Sequence, residues 1–141
     1  MPAYEITSDP SRFDVGAIHA FLAQTYWSPG IPRQVVELAI DNSVCFGVLC
    51  GGDQVGFARV ITDKATFAYL SDVYVLEAHR GKGLSRRLME AIMSHPELQG
   101  LRRMMLGTRD AHGLYAKYGF KPLAVPERIM EIYKPDIYSE T

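Results

Sequence analysis

Two glycines flank a lysine in the stretch RGKGLSRR, which begins at Arg80 and runs into a helical pattern from Leu84. Because they lack side chains, Gly81 and Gly83 let the backbone curl so that consecutive N–H groups point at one ligand. The first turn of the following helix adds unpaired N–H groups and partial positive charge, which suit a phosphate or pyrophosphate. The alternative is a plain strand-to-helix turn with solvated basic residues, because short glycine motifs are weak signals.

This loop does not match the two best-known phosphate-binding motifs. It lacks the sequence G-x-x-x-x-G-K-[ST], and no later glycine completes a dinucleotide fingerprint after Gly83. If the loop binds an anion, a different phosphate-bearing cofactor is required.

A second stretch, DAHGLYAKYGF at residues 110–120, favours the anion-binding interpretation. Together the two stretches resemble the GNAT family of N-acetyltransferases. The family's loop motif, [QR]-x-x-G-x-[GA], is matched by Arg80, Gly83 and Ser85, with serine where glycine or alanine is usual. Its later motif, A-x-x-L-Y-x-K-x-G-F, is matched by Ala111, Leu114, Tyr115, Lys117, Gly119 and Phe120. The resemblance is clear over residues 44–123 and rests only on the order and lengths of the helices before that.

The resemblance implies acetyl-coenzyme A (acetyl-CoA) as cosubstrate. The strand LSDVYV would pair its backbone with the pantetheine arm in the manner of an added strand. The residues expected to bind the cofactor are Val73, Tyr74, Val75, Arg80, Gly81, Lys82, Gly83, Leu84, Ser85, Ala111 and Lys117. No metal is expected, because none of the four histidines is spaced with a cysteine or carboxylate in a zinc pattern.

Acetyl transfer from a thioester to an amine needs a neutral nucleophile, a polarised carbonyl and a proton for the departing thiolate. The resemblance implies Tyr115 as the general acid, because a phenol with a pKa of about 10 can protonate a thiolate. A backbone N–H within residues 73–75 would polarise the carbonyl. A tyrosine packed in the core is the alternative for Tyr115.

The general base is where the sequence departs from the family. Many relatives place a glutamate at the position of Ser71, and the neighbouring Asp72 should point to the opposite face of the sheet unless a bulge rotates it. The candidates are Asp72, acting through water, then Glu77, then His112. An amine that is already neutral in solution would need no base.

The acceptor side is expected at Tyr26 and Trp27, which precede a Pro/Gly loop between the first two helices, together with Ser71 and His112. The resemblance thus implies an N-acetyltransferase acting on a small amine or an amino terminus. A non-catalytic module that binds or senses acyl-CoA is the rival, because the expected base is missing.

The elements that must position these residues follow from the hydrophobic pattern. Helical patterns cover residues 11–25 and 32–43, and strand patterns cover 44–50, 54–62 and 66–76, which predicts an antiparallel meander. A helix from Gly83 leads to a strand at 101–108, which predicts a parallel pair. A short helix at 111–118 and two late strands, 120–124 and 128–134, complete the order β-α-α-β-β-β-α-β-α-β-β. The predicted class is α/β: a mostly antiparallel twisted sheet with one parallel pair and about four flanking helices, as in the GNAT fold.

Length and composition limit the function classes. With 141 residues and 48% hydrophobic content, residues 1–141 should form one domain. A net charge of -1 gives no reason to expect nucleic acid, and no segment is apolar and long enough to cross a membrane, so a cytoplasmic protein is expected. Cys45 and Cys50 should lie on opposite faces of one strand as reduced thiols. The late strands would offer an edge or face for a homodimer.

Overall fold

The computed structural model describes residues 3–139 and contains one five-stranded sheet with α-helices on both faces. The strands are β1 (Tyr4–Thr7), β2 (Val44–Cys50), β3 (Asp53–Thr62), β4 (Phe67–Val75) and β5 (Arg103–Leu106). The α-helices are α1 (Val15–Leu22), α2 (Arg33–Asp41), α3 (Leu84–Ser94) and α4 (His112–Ala116). The sheet order is β1-β2-β3-β4-β5, antiparallel throughout except for the parallel pair β4–β5. This confirms the predicted mixed sheet.

The hydrophobic core is divided by the sheet. On one face α1 and α2 contribute Ile18, Leu22, Val36 and Ile40, which pack with Cys45, Phe57 and Tyr74. On the other face α3 contributes Leu84, Leu88, Met89 and Ile92, which pack with Phe46, Val48 and Val60. Burial of each large aliphatic side chain contributes about 1.5–3 kcal/mol. Both faces of β2 are therefore covered, which explains why VCFGVLC is an unbroken apolar run.

The two cysteines lie as predicted from their spacing. Cys45 belongs to the core beneath α1 and α2, whereas Cys50 packs against the core beneath α3. Both are free thiols, and burial raises the pKa of Cys45 to about 12. Cys45 is therefore a core residue that stays protonated at neutral pH.

The two late strands predicted at residues 120–124 and 128–134 are wrong. Neither stretch forms a strand in the described part of the chain. Pro122 removes a backbone donor within the first stretch, and the second stretch is paired with none of the five strands. The second stretch has the composition of a strand, but within residues 3–139 it is hydrogen-bonded to no strand of the sheet.

The other elements differ from the predictions mainly at their ends. The first helix begins at Val15 rather than near Ser11, because the Asp14 carboxylate accepts from the N–H of Ala17 and caps it there. The short helix near the C-terminus is limited to His112–Ala116. No helix among the described residues is long and apolar enough to cross a membrane.

Candidate active site

A cleft opens where β4 and β5 separate. The two strands pair only from Phe67 with Arg103 to Leu70 with Leu106, yet β4 continues to Val75. Residues 71–75 are therefore held by β3 on one side, while on the other side they border a cleft of about 720 Å³. A strand edge that lies open along a cleft can pair with an extended ligand through backbone hydrogen bonds.

A bulge deforms β4 at the start of this free edge. Phe57 pairs with Tyr74 and Arg59 pairs with Ser71, so that Asp72 and Val73 stand opposite Ala58 alone. Asp72 has a φ of +54°, in the left-handed region that aspartate tolerates better than most residues. The bulge turns Asp72 toward the cleft, which the simple alternation of a regular strand would not have done.

The glycine loop lies at the far end of the same edge. Gly81 and Gly83 have φ values of +77° and +75°, so both adopt the left-handed conformation for which glycine is suited. Gly83 is the N-cap of α3 and supplies no side-chain acceptor. The backbone N–H groups of residues 81–86 have no acceptor within residues 3–139, and the first helical bond runs from Arg87 N–H to Gly83 O at 3.1 Å. The loop thus presents a run of unpaired donors.

Arg80 fastens the loop to the end of the strand. Its Nε donates to the Val75 carbonyl oxygen at 2.9 Å, and its side chain lines the cleft together with Ser85. A small adjoining pocket of about 170 Å³ is bordered by Gly81, Gly83 and Leu84. The cationic side chain of Arg80 and the free N–H groups therefore converge at one end of the cleft, as an anion site requires.

Tyr115 approaches the middle of the cleft from α4. Its ring is buried and stands edge-on to Phe120, with ring centres 6.0 Å apart. The hydroxyl has no protein partner among the described residues, but it is not enclosed, so it remains accessible from the cleft. Burial, with a smaller contribution from Tyr26, raises the pKa of Tyr115. The phenol is therefore held in its protonated form.

Asp72 forms the polar centre of the opposite wall. One carboxylate oxygen accepts from Arg59 Nε at 2.8 Å, and the other accepts from Trp27 Nε1 at 2.9 Å. Arg59 also donates to Ser43 Oγ at 3.3 Å. Only 8% of the Asp72 side chain and 17% of the Arg59 side chain are exposed. Asp72 thereby links the bulge of β4 to the loop that carries Trp27.

That loop is itself fixed by two buried hydroxyl groups. Thr25 Oγ1 and Ser28 Oγ both donate to the Leu22 carbonyl oxygen at the end of α1, at 2.7 and 3.1 Å. Between them, Tyr26 and Trp27 are 54% and 38% exposed and meet edge-on, with ring centres 5.0 Å apart. We call residues 25–28 the acceptor loop. It presents two aromatic rings to the end of the cleft that lies away from the glycine loop.

Arg109 closes this aromatic end from the other side. Its guanidinium carbon lies 4.0 Å from the centre of the Tyr26 ring. Stacking on an aromatic ring orients a guanidinium and leaves its N–H edges free. Arg109 forms no ion pair with any residue of the described chain.

Most of the residues expected from the sequence meet in this one cleft. Its lining includes Tyr26, Trp27, Ser71, Asp72, Val73, Tyr74, Val75, Arg80, Ser85, Ala111 and Tyr115. Glu77, Lys82 and Lys117 are exposed and do not line it. His112 borders a separate groove on the far side of Tyr115. Among the three candidate bases, only Asp72 therefore lies in the cleft.

Two cationic residues of the site, Arg59 and Arg109, were missed by the sequence analysis. Arg59 is the only charged residue in the stretch QVGFARVIT. A lone charge in such an apolar strand signals a buried partner. That signal does not identify the partner, because Asp72 reaches Arg59 only through the bulge. Arg109 precedes the second motif and carries no comparable signal.

Comparison with known proteins agrees with the family resemblance of the two sequence motifs. A sequence model of the family described as "Acetyltransferase (GNAT) domain" matches residues 41–122. A protein of Gibberella zeae that is named as a candidate acetyltransferase is 34% identical over 137 residues, covering 81% of this chain and 76% of its own.

Solved structures share the whole architecture. A candidate acetyltransferase of the GNAT family from Xanthomonas campestris pv. campestris is 56% identical, covers 99% of both chains and superposes with a TM-score of 0.95. A candidate acetyltransferase from Clostridium acetobutylicum, described as being with acetyl-CoA, is 16% identical, covers 94% of this chain and 96% of its own, and has a TM-score of 0.66. The latter likeness concerns the fold alone.

Proposed function

Since this chain belongs to the GNAT acetyltransferase family, we propose that it transfers an acetyl group from acetyl-CoA to the amine of a small molecule or of an amino terminus. The observation that carries the proposal is the convergence of three features on one cleft. These are the unpaired donors of the glycine loop, the free edge of β4 and the accessible hydroxyl of Tyr115.

The chain offers a fitting binding surface for acetyl-CoA. The unpaired N–H groups of residues 81–86 would hold the pyrophosphate, with Arg80 and Ser85 beside them. The free edge at residues 71–75 would pair with the pantetheine amides, and Ala111 would line the opposite wall. Lys82 and Lys117 are exposed, so their proposed role is limited to charge attraction at the rim.

Polarisation of the thioester carbonyl is assigned to the backbone of β4. The bulge leaves Asp72 and Val73 opposite a single residue of β3, which disrupts the regular pairing there. We assign the carbonyl-binding donor to an N–H within residues 73–75. Such a fixed donor typically contributes about a hundredfold or more to the rate.

Tyr115 is the proposed general acid. The amine nitrogen forms a bond to the carbonyl carbon, the carbon–sulfur bond breaks, and Tyr115 donates its proton to the sulfur. Burial raises the pKa of Tyr115, so the proton is present at neutral pH. Its hydroxyl is not engaged by another residue of the described chain, which leaves it available for the departing thiolate.

Asp72 is the proposed acceptor of the proton that the amine loses. It is the only one of the three candidate bases that lines the cleft, whereas Glu77 is exposed elsewhere and His112 faces another groove. Both of its oxygens already accept one hydrogen bond, and each retains a second lone pair for a water molecule. Transfer through water is therefore the proposed route.

The acceptor amine is assigned to the aromatic end of the cleft. Tyr26 and Trp27 supply flat apolar surface beside Ser71 and Asp72, and Arg109 adds a cation that forms no ion pair with another described residue. Such a surface suits an amine that carries an apolar or planar group next to its nitrogen.

A non-catalytic acyl-CoA-binding module is the second candidate. One observation favours it: serine occupies position 71, and both oxygens of the adjacent Asp72 are tied to protein donors. The experiment that separates the two is release of free thiol from acetyl-CoA in the presence of a panel of amines and amino-terminal peptides. Turnover above the amine-free rate with at least one acceptor supports the enzyme, and cofactor binding without turnover on any acceptor supports the module.

A further inference from the structure

Arg109 is a cation of the cleft without a counterion. It lies in the turn between β5 and α4 and lines the cleft, and it forms no ion pair with any residue between 3 and 139. Arg59, by contrast, is neutralised by Asp72 at 2.8 Å, and both of those side chains are largely buried. The charge of Arg109 therefore remains available to a ligand.

The guanidinium of Arg109 is held in a defined place. Its carbon atom lies 4.0 Å from the centre of the Tyr26 ring, and Tyr26 in turn meets Trp27 edge-on. The turn around Arg109 is fixed by the N–H of Ala111, which donates to Thr108 Oγ1 at 3.0 Å. A stacked guanidinium keeps its N–H groups free to bind a planar anion through two hydrogen bonds. Because the cation is already oriented, less conformational entropy is lost when an anion binds.

A row of two aromatic rings connects this cation to Asp72. Trp27 donates to Asp72, and Tyr26 contacts both Trp27 and Arg109. Asp72 and Arg109 form no ion pair with one another, so they are separate charged points on one wall of the cleft. A ligand lying along the rings would present one end to the carboxylate and the other end to the guanidinium. An amine at one end and an anionic group at the other match these two points.

The charges of the cleft favour a carboxylate over a phosphate as that anionic group. Arg109 supplies one positive charge, and the next residue, Asp110, also lines the cleft and is negative. A phosphate monoester carries about 1.5 to 2 negative charges at neutral pH and would be repelled by Asp110. A carboxylate carries one charge and has the planar shape that pairs with a guanidinium.

We propose that the acceptor is an amine that also carries a carboxylate, and that Arg109 binds this carboxylate while the amine lies beside Asp72. The inference rests on the proposed acetyl transfer for the reaction, but the carboxylate site is a binding property that does not require turnover. It narrows the acceptor from any small amine or amino terminus to an amino acid or another small aminocarboxylic acid.

The test is a binding titration in which Trp27, the only tryptophan of the chain, is the fluorescent reporter. With and without CoA, phenylalanine and para-aminomethylbenzoate are each compared with the matching carboxamide. Wild type should bind at least one of the two carboxylates at least about tenfold more tightly than its amide, because the amide lacks the charge that pairs with Arg109. Arg109→Ala should reduce that ratio to about one. Arg109→Lys keeps the charge without the planar fork and should give a ratio between these values.

Arg102→Ala is the matched control. Arg102 is exposed like Arg109, but it precedes β5 at the other end of that strand and does not line the cleft. The control should keep the wild-type ratio. Circular dichroism should show all the variants folded, since neither arginine belongs to the core.

Turnover is measured separately, so that the two proposals can fail separately. Carboxylate-dependent binding without thiol release from acetyl-CoA supports the Arg109 site and contradicts acetyl transfer. Thiol release with amines, but without a difference between carboxylate and carboxamide, contradicts the Arg109 site alone. The Arg109 site is also overturned if neither carboxylate binds, if Arg109→Ala leaves the ratio unchanged, or if the phosphonate analogue of phenylalanine binds more tightly than phenylalanine.

Discussion

Asp72 holds the β4 bulge and the acceptor loop together, so replacing it by alanine tests how the cleft is built. The change removes the ion pair with Arg59 at 2.8 Å and the hydrogen bond from Trp27 at 2.9 Å. It also places alanine at a φ of +54°, a conformation that alanine adopts less readily than aspartate or asparagine.

The expected loss of stability follows from these contacts. Removing one partner of a buried ion pair costs about 3–5 kcal/mol in the free energy of unfolding. The lower end applies, because Arg59 is 17% exposed and keeps its bond to Ser43. The left-handed backbone adds about 1 kcal/mol for alanine. The sum is about 4 kcal/mol, which corresponds to a fall of about 12 °C in Tm for a chain of this size.

Asp72→Asn is the matched control for this change. Asparagine tolerates the left-handed backbone and retains an oxygen that can accept from Trp27, but it loses the charge that faces Arg59. Its expected cost is about 1–2 kcal/mol, or about 5 °C in Tm. Urea denaturation at pH 7, monitored by tryptophan fluorescence and circular dichroism, gives both free energies, and Trp27 is the only tryptophan in the chain.

Two outcomes would refute this reasoning. If Asp72→Ala costs less than about 1 kcal/mol, the ion pair does not hold the cleft together. If the alanine and asparagine variants are equally unstable, the backbone conformation and the bond to Trp27 contribute nothing measurable.

Three further predictions concern the chemistry of individual side chains. Tyr115→Phe should lower kcat about a hundredfold or more, while the Kd for CoA stays within about twofold of wild type. An unchanged kcat in a thiol-release assay would show that Tyr115 is not the general acid. Because burial raises the pKa of Tyr115, the alkaline fall in kcat caused by Tyr115 should have its midpoint above the ordinary pKa of a phenol. A midpoint below that ordinary pKa that is absent from Tyr115→Phe would contradict this. Burial raises the pKa of Cys45 to about 12, so iodoacetamide at pH 8 should not label Cys45 in the native protein but should label it in urea. Rapid labelling of Cys45 in the native protein, detected by peptide mass spectrometry, would contradict its place in the core.

The residues that could be predicted from the sequence are those whose role depends on local order. The glycines at 81 and 83 precede an amphipathic helix, so a curled turn before that helix was predicted from the sequence, and the structure gives both of them left-handed backbone. The meander of β2, β3 and β4 likewise followed from short polar turns between apolar runs.

The features that could not be predicted depend on tertiary contacts. Asp72 faces the cleft because of one bulge, and its two partners come from β3 and from the acceptor loop. Such a meeting of distant residues leaves no periodic pattern in the sequence. The late strands failed for the related reason that strand composition does not guarantee a strand partner within the chain.

The central claim, that the glycine loop binds the pyrophosphate of acetyl-CoA, is tested most directly by titrating CoA into the protein in a calorimeter. Wild type should bind CoA saturably, and Gly83→Glu should bind it at least about a hundredfold more weakly, because a carboxylate would stand beside the pyrophosphate. Gly51→Glu is the matched control, since Gly51 also has a left-handed φ, at +58°, and open space around it, but lies in the β2–β3 turn. It should bind CoA like wild type. Absence of binding by wild type, or equal binding by Gly83→Glu, would contradict the account.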